Sequence, residues 1–314
     1  MANSPHMPNM DIPRTIDVCI ATFRRPDQLA GLLAALERQA PPGWRLRIVV
    51  ADNDAQRSAE PVAQAWRARS AVPLVYDAEP RQNIALARNR ALAHCDAECI
   101  AFIDDDELPC AGWLAALLDS QARYQADVVF GPVDSSLPPD APPWARDCFS
   151  KPALATGTPV RMGGAGNVLF RREVLLGRSD PFDPDFGLTG GEDTDWFYRL
   201  HLAGRRMVWC AEAQASEAVP AARLRLSWAR RRAFRGGQTY YRVCVRRYSG
   251  ARTALWCAVK SAQLLAALAA APLLLLLHRR AYVALTLRAA GAAGQLARWL
   301  SRRDVEEYHV RHAR

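Results

Sequence analysis

Between residue 16 and about residue 127, four short apolar runs alternate with four stretches of helical periodicity, and this alternation limits the fold more than any other feature. Residues 16–21, 46–51, 74–76 and 99–103 read as strands. Residues 26–39, 58–69, 83–94 and 111–124 read as helices, the first with leucines at 29, 32, 33 and 36 on one face. Such alternation predicts a mostly parallel sheet with helices on both faces. Ligands of these sheets bind beyond the carboxyl ends of the strands. The acids gather there: Asp52 and Asp54 after the second strand, and Asp104, Asp105, Asp106 and Glu107 after the fourth.

Residues 132–160 are rich in Pro, Ser and Asp, and are expected to form a long irregular excursion with little helix. Regular structure resumes with a strand at 168–170, a helix at 192–202 and a last short strand at 207–210. Residues 1–15 contain no apolar signal-peptide core and are expected to be disordered. No cysteine spacing matches a zinc site, so the eight cysteines are expected to be reduced thiols in a cytosolic setting.

Charge divides the chain. Residues 1–220 carry 22 basic and 29 acidic side chains, whereas residues 221–314 carry 19 basic and 3 acidic ones. A basic tail on an acidic body points to a polyanionic surface as the tail's partner. Residues 222–248 read as a basic helix with interleaved Trp and Tyr. Two apolar segments follow, 253–277 and 281–300, each about long enough to cross a hydrocarbon core of about 30 Å. Lys260, Arg288 and Arg298 interrupt them, so helices lying in the interface are an equal expectation.

Three segments carry candidate chemistry. Adjacent carboxylates repel one another, and Asp104, Asp105 and Asp106 at a strand end suit Mg²⁺ or Mn²⁺ bridging to phosphates. The alternative is a solvated acidic loop capping the next helix. In residues 190–196, Gly191 lets a ligand approach the backbone, and Glu192 or Asp193 can serve as general base on an acceptor hydroxyl. Ordinary helix capping accounts for the same residues. The glycine-rich segment with Gly164, ending at Asn167, leaves room for an acceptor or is a plain turn. The cluster 230–232 is either a diphosphate ligand or a solvated or lipid-facing basic surface. Arg with interleaved aromatics also suits nucleic acid, but carboxylates at the strand ends repel phosphate unless a metal intervenes, so no nucleic-acid partner is expected.

Five segments in this order, VCIATFRRPDQL (18–29), VVADNDA (49–55), NIALARNRAL (83–92), FIDDDE (102–107) and GGEDTDWFYRL (190–200), resemble family 2 glycosyltransferases of the GT-A fold. Their wording is similar to that of bacterial exopolysaccharide enzymes of the succinoglycan-biosynthesis type. The resemblance implies a GT-A domain over residues 16–220 and a membrane-associating helical tail over 221–314. It implies that Thr22 and Asp52 bind the nucleotide of a UDP-sugar, Asp52 facing the base, with Arg25, Asn83 and Arg88 nearby. Asp104 and Asp105 would lie by the ribose or sugar, Asp106 would hold the metal, and Asp193 would be the base. Gly164, Asn167, Gly191 and Glu192 would face the acceptor. It further implies inversion by in-line displacement, a polyprenyl-diphosphate-linked saccharide as acceptor, and a place at the cytoplasmic face of the inner membrane. A nucleotidyltransferase is the enzymatic rival, but IATFRRP lacks the expected glycines; an inactive relative is the other reading.

Overall fold

The computed structural model describes residues 14–150, 153–175, 177–178, 180–301 and 303–307. Of the N-terminal segment expected to be disordered, Arg14 and Thr15 open the first strand, and the rest lies outside the described residues. Four strands, β1 (Arg14–Thr22), β2 (Trp44–Asp52), β3 (Leu74–Ala78) and β4 (Cys99–Ile103), run parallel in the order β3-β2-β1-β4. The chain builds outward from β1 to β3, then returns to place β4 on the other side of β1. The crevice where the order reverses therefore opens between the ends of β1 and β4.

The sheet continues with β8 (Asn167–Arg171), antiparallel to β4, then β6 (Val128–Phe130) and β9 (Met207–Trp209). It is mixed, with its larger part parallel as expected. Both faces are covered, as alternating side chains require. Ile16, Val18 and Ile20 pack with leucines of α1 (Pro26–Leu36), with Trp66 of α2 (Glu60–Arg69) and with Trp113 of α4 (Trp113–Tyr124). Cys19, Val49 and Phe102 meet the alanines of α3 (Ile84–Ala93) and Trp196 and Phe197 of α6 (Glu192–Leu202). All eight cysteines are free thiols.

The Pro-rich excursion is more regular than its composition predicts. It contains β7 (Val133–Ser136) and α5 (Pro143–Phe149). Pro143 occupies the first helical turn, where a missing N–H costs nothing. A small sheet joins β5 (Glu107–Pro109), β10 (Ala215–Ala218) and β7 at the mouth of the crevice.

Three long helices follow: α7 (Leu226–Val243), α8 (Gly250–Leu277) and α9 (Arg279–Leu300). Arg230 of α7 reaches Tyr282 and Thr286 of α9, while Gly237 meets Gly291 and Phe234 meets Gly294, so α7 and α9 run side by side in the same direction. A Cβ on Gly237 or Gly294 would overlap the facing backbone, so only glycine permits this approach. The chain then returns as a strap: Gln238 bonds Arg303 O at 3.0 Å and Val305 N at 2.9 Å, and Asp304 pairs with Arg242 and Arg298.

Candidate active site

A cleft of about 310 Å³ opens at the reversal point between β1 and β4. Its floor carries Ala21, Thr22 and Phe23 from the end of β1, with Asp104, Asp105 and Asp106 from the turn after β4. Thr22 Oγ1 donates to Asp105 at 2.7 Å, and Arg25 reaches Asp105 at 2.8 Å and Asp106 at 2.9 Å. Burial pushes the Asp105 carboxyl up to about 6, against the pull of Arg25 and Thr22. Glu107, beneath the turn, is pushed up by burial and by Asp104. The acidic run is therefore under tension, with Arg25 its cation on this side.

On the other side stands Arg88, which α3 sends into the protein core. It bonds Asp104 at 3.0 Å and Glu192 closely, and approaches Asp193 to 3.8 Å. Asp104 leaves 39% of its side-chain surface open to the cleft, yet lies deep enough that burial, with Asp106 and Asp193 nearby, raises its pKa against Arg88. Glu192 is enclosed; burial raises it to about 7, opposed by Arg88.

Asp193 opens α6 and keeps 19% of its side chain exposed. Its Oδ2 accepts from Ala165 N at 3.1 Å and its Oδ1 from Thr194 N at 2.6 Å. Gly164 lies alongside, its Cβ position 3.4 Å from Asp193 Oδ2. Gly191 adopts φ +101 just before the helix, and a Cβ there would strike Thr239 of α7. The glycine thus serves the packing of α7 as well as the turn.

Other expected site residues spend their polar atoms inside the protein. Asp52 is fully buried and accepts from Asp54 N at 3.0 Å, Ala59 N at 2.8 Å and Tyr76 Oη at 2.9 Å, which fixes the loop after β2. Its neighbour Asn53 borders the cleft but likewise spends its amide inside the protein, donating to Glu79 O and Arg81 O and accepting from Asn83 N. Asn83 caps α3 by accepting from Leu86 N and donates to Pro184 O, while Ile84 and Ala87 behind it line the cleft. Asn167 accepts from the Trp113 indole at 2.8 Å and donates to Pro132 O and Ala213 O at 2.8 and 2.7 Å.

Of the opposite wall, only Arg232 lies in a cluster that the sequence offered as a diphosphate ligand, and that as one of two readings. Arg223, Trp228, Arg232 and Arg235, on and just before α7, face the acids with Glu217 of β10 and Glu307 of the strap. Glu217 accepts from Ser135 at 3.0 Å and Arg223 at 3.3 Å, and Glu307 pairs with Arg235 at 3.3 Å. Burial, then Arg235 and Arg223, hold the Arg232 pKa below its usual value, so this wall favours an added anion. Trp228, Arg232 and Arg235 of the basic helix are therefore cleft lining; the helix's Arg-Trp composition was visible in the sequence, its position was not.

The glycosyl transferase family 2 model matches residues 17–177. Over 311 residues the chain is 36% identical to the succinoglycan biosynthesis protein ExoM of Rhizobium meliloti, covering 97% of this chain and 98% of that one. The chain belongs to glycosyltransferase family 2. It is a glycosyltransferase of GT-A fold. The mannosyltransferase PcManGT from Pyrobaculum calidifontis, solved with GDP-Man and Mn²⁺, superposes with a TM-score of 0.62 at 21% identity, covering 91% of this chain and 88% of that one. Residues 1–349 of S. aureus TarS, solved with UDP-GlcNAc, superpose with a TM-score of 0.52 at 14% identity, covering 91% and 92%. These two likenesses concern the fold.

Proposed function

We propose that this glycosyltransferase transfers a sugar, with inversion and with the help of a divalent cation, from a UDP-sugar to a hydroxyl of a lipid-linked saccharide during exopolysaccharide assembly. The observation that carries the reading is Asp193. Its carboxylate is aimed by Ala165 N and Thr194 N and joined through Arg88 to Asp104 on the cleft floor. A carboxylate so oriented accepts the proton of an acceptor hydroxyl as that oxygen attacks the anomeric carbon. Among the described residues the site presents no Ser–His or Cys–His pair for a covalent intermediate, and a single displacement, hence inversion, fits these residues.

Among the described residues no group of three or more His, Cys, Asp and Glu side chains forms a ready metal cage. Asp106, open at the cleft and shared only with Arg25, instead fits a hard cation that takes one or two carboxylates and completes its shell with water and phosphate. When bound there, Mg²⁺ or Mn²⁺ supplies Lewis-acid stabilisation of the departing diphosphate. Arg232 and Arg235 face the same space and bind its outer oxygens. Thr22 and the backbone-anchored Asn53 border the nucleoside's place over the ends of β1 and β2. The polyprenyl-diphosphate acceptor and the cytoplasmic membrane face rest on the likeness to the succinoglycan protein and on the apolar, basic tail.

The test uses membranes containing the full chain, incubated with radiolabelled UDP-, GDP- and dTDP-sugars and either Mn²⁺ or EDTA. Expected is Mn²⁺-dependent transfer of label from a UDP-sugar into the organic-solvent fraction, abolished in Asp106→Ala and Asp193→Asn. Transfer that persists in Asp193→Asn, or that ignores EDTA, overturns the assignment of the base or of the cation.

A further inference from the structure

We propose that α8 is a monotopic membrane-contact helix, lying in the plane of one leaflet and bound to an anionic lipid surface, with α7 and α9 between it and the cleft. It rests on the reading that the acceptor is presented at a membrane, and it decides how the chain meets that membrane.

Among the described residues, α8 is the one helix long and apolar enough to cross a bilayer. Only a narrow stripe of it faces the protein, including Trp256, Cys257, Leu264, Ala267 and Leu274. Trp256 donates to Gln295 of α9 at 3.1 Å and stacks on Tyr240 of α7, ring centroids 5.7 Å apart. The outer face is bare: Leu265 is 67%, Leu276 84% and Leu277 72% exposed. A helix at a water interface carries charge on that face. Here the one charged side chain between Arg252 and His278 is Lys260, and it folds over the Trp256 ring at 4.7 Å, bonded to Gln263.

Cations mark both ends. Arg246 and Arg252 precede or open α8, Arg279 and Arg280 follow it, and all four are exposed. Two of the tail's three acids are engaged elsewhere: Asp304 is paired with Arg242 and Arg298, and Glu307 with Arg235. The neutralising charge comes from outside, as anionic headgroups supply it at about 1 kcal/mol per Arg. A second copy pairing through α8 would set these cationic ends against each other.

The packing of α9 excludes a span. α9 begins one residue after α8 ends and runs the length of α7, whose Arg232 and Arg235 line the cleft. Threading α8 through the bilayer would carry the start of α9 to the far side and strip it from α7. Drawing α7 in as well would bury its arginines, at about 2.5–3.5 kcal/mol each near the bilayer centre. Seating α8 flat moves nothing.

The test is sedimentation of the full chain with phosphatidylcholine vesicles, with or without phosphatidylglycerol. Expected is a preference for the anionic vesicles of well over about tenfold, cut by about tenfold or more in Arg279→Ala/Arg280→Ala, with binding weakened on both vesicle types in Leu265→Gln/Leu276→Gln. An Arg280→Cys variant, added to preformed vesicles, is expected to react with a membrane-impermeant maleimide as fully without detergent as with it, above the background from exposed Cys148. Protection until detergent is added overturns the in-plane placement. A chain that ignores vesicles, and dimerises through α8 in a way Leu265→Gln/Leu276→Gln abolishes, overturns the membrane assignment. Titration of the same protein with UDP and Mn²⁺ scores the cleft separately: vesicle binding without nucleotide binding sinks the donor reading and leaves this one standing.

Discussion

Replacing Arg88 by Met removes the cation between Asp104, Glu192 and Asp193 while keeping most of its bulk. Arg88 is 4% exposed and Glu192 2% exposed, so the loss leaves a buried carboxyl facing apolar surroundings and other acids. Breaking a buried pair from one side costs about 3–5 kcal/mol. The cost depends on pH, with a definite sign. The Glu192 pKa, ordinarily 4.5, is raised to about 7 in the fold, chiefly by burial. Between those values the folded state holds a proton that the unfolded state releases, so Glu192 erodes stability as pH rises through that window. Arg88 is the main force opposing the shift; without it the pKa rises further and the erosion continues above 7, at about 1.4 kcal/mol per pH unit. Urea unfolding of Arg88→Met against the native chain is expected to show the full penalty at about pH 8.5 and roughly half or less at about pH 6, where Glu192 is largely protonated in both. Equal penalties at the two pH values, or a penalty that shrinks as pH rises, would refute the reasoning.

Asn167→Ala strips partners from the Trp113 indole and two buried carbonyls, and is expected to cost about 2–4 kcal/mol in urea unfolding. A loss of acceptor affinity at unchanged stability would return Asn167 to the acceptor site. Gly294→Val overlaps the Phe234 backbone and pushes α9 from α7; a lower Tm is expected together with weaker UDP binding, because α7 forms one cleft wall. Arg232→Ala should raise the donor KM about tenfold or more, the worth of one charge-assisted bond, while leaving Tm within a few degrees.

The parallel half of the sheet was legible because each strand is a continuous apolar run and each helix shows a 3.6-residue stripe. The acids 104–106 follow from that frame, since strand ends share one edge, whereas Thr22 and Arg25 beside them were implied by the family resemblance. The strands β6, β7 and β10 were not legible: at three or four residues each they are too short to display a period, and their pairing is fixed by partners distant in sequence.

A motif identifies a neighbourhood more firmly than it identifies which polar atom faces the ligand. Asp52, Asn83 and Asn167 each stand where a strand or helix ends, and such an end leaves backbone N–H and C=O groups that a nearby carboxylate or amide can satisfy. All three side chains are drawn into that task, as is Asn53, which borders the cleft while bonding Glu79 O, Arg81 O and Asn83 N. Asp193 also accepts from backbone N–H groups, those of Ala165 and Thr194, but with Gly191 at φ +101 just before the helix it keeps 19% of its side chain exposed. The arginine wall lay furthest from view for a related reason. Nothing local to residues 223–235 says whether they face water, lipid or phosphate. That is decided by Gly237 and Gly294, which let α9 press α7 inward, and by the strap at 303–307, which holds it there. The basic tail and the acidic body, opposite in charge and separate in sequence, meet at the cleft, where Arg223, Arg232 and Arg235 stand across from Asp104, Asp105 and Asp106. On the proposed function, a diphosphate with a divalent cation would supply the missing charge to both walls at once.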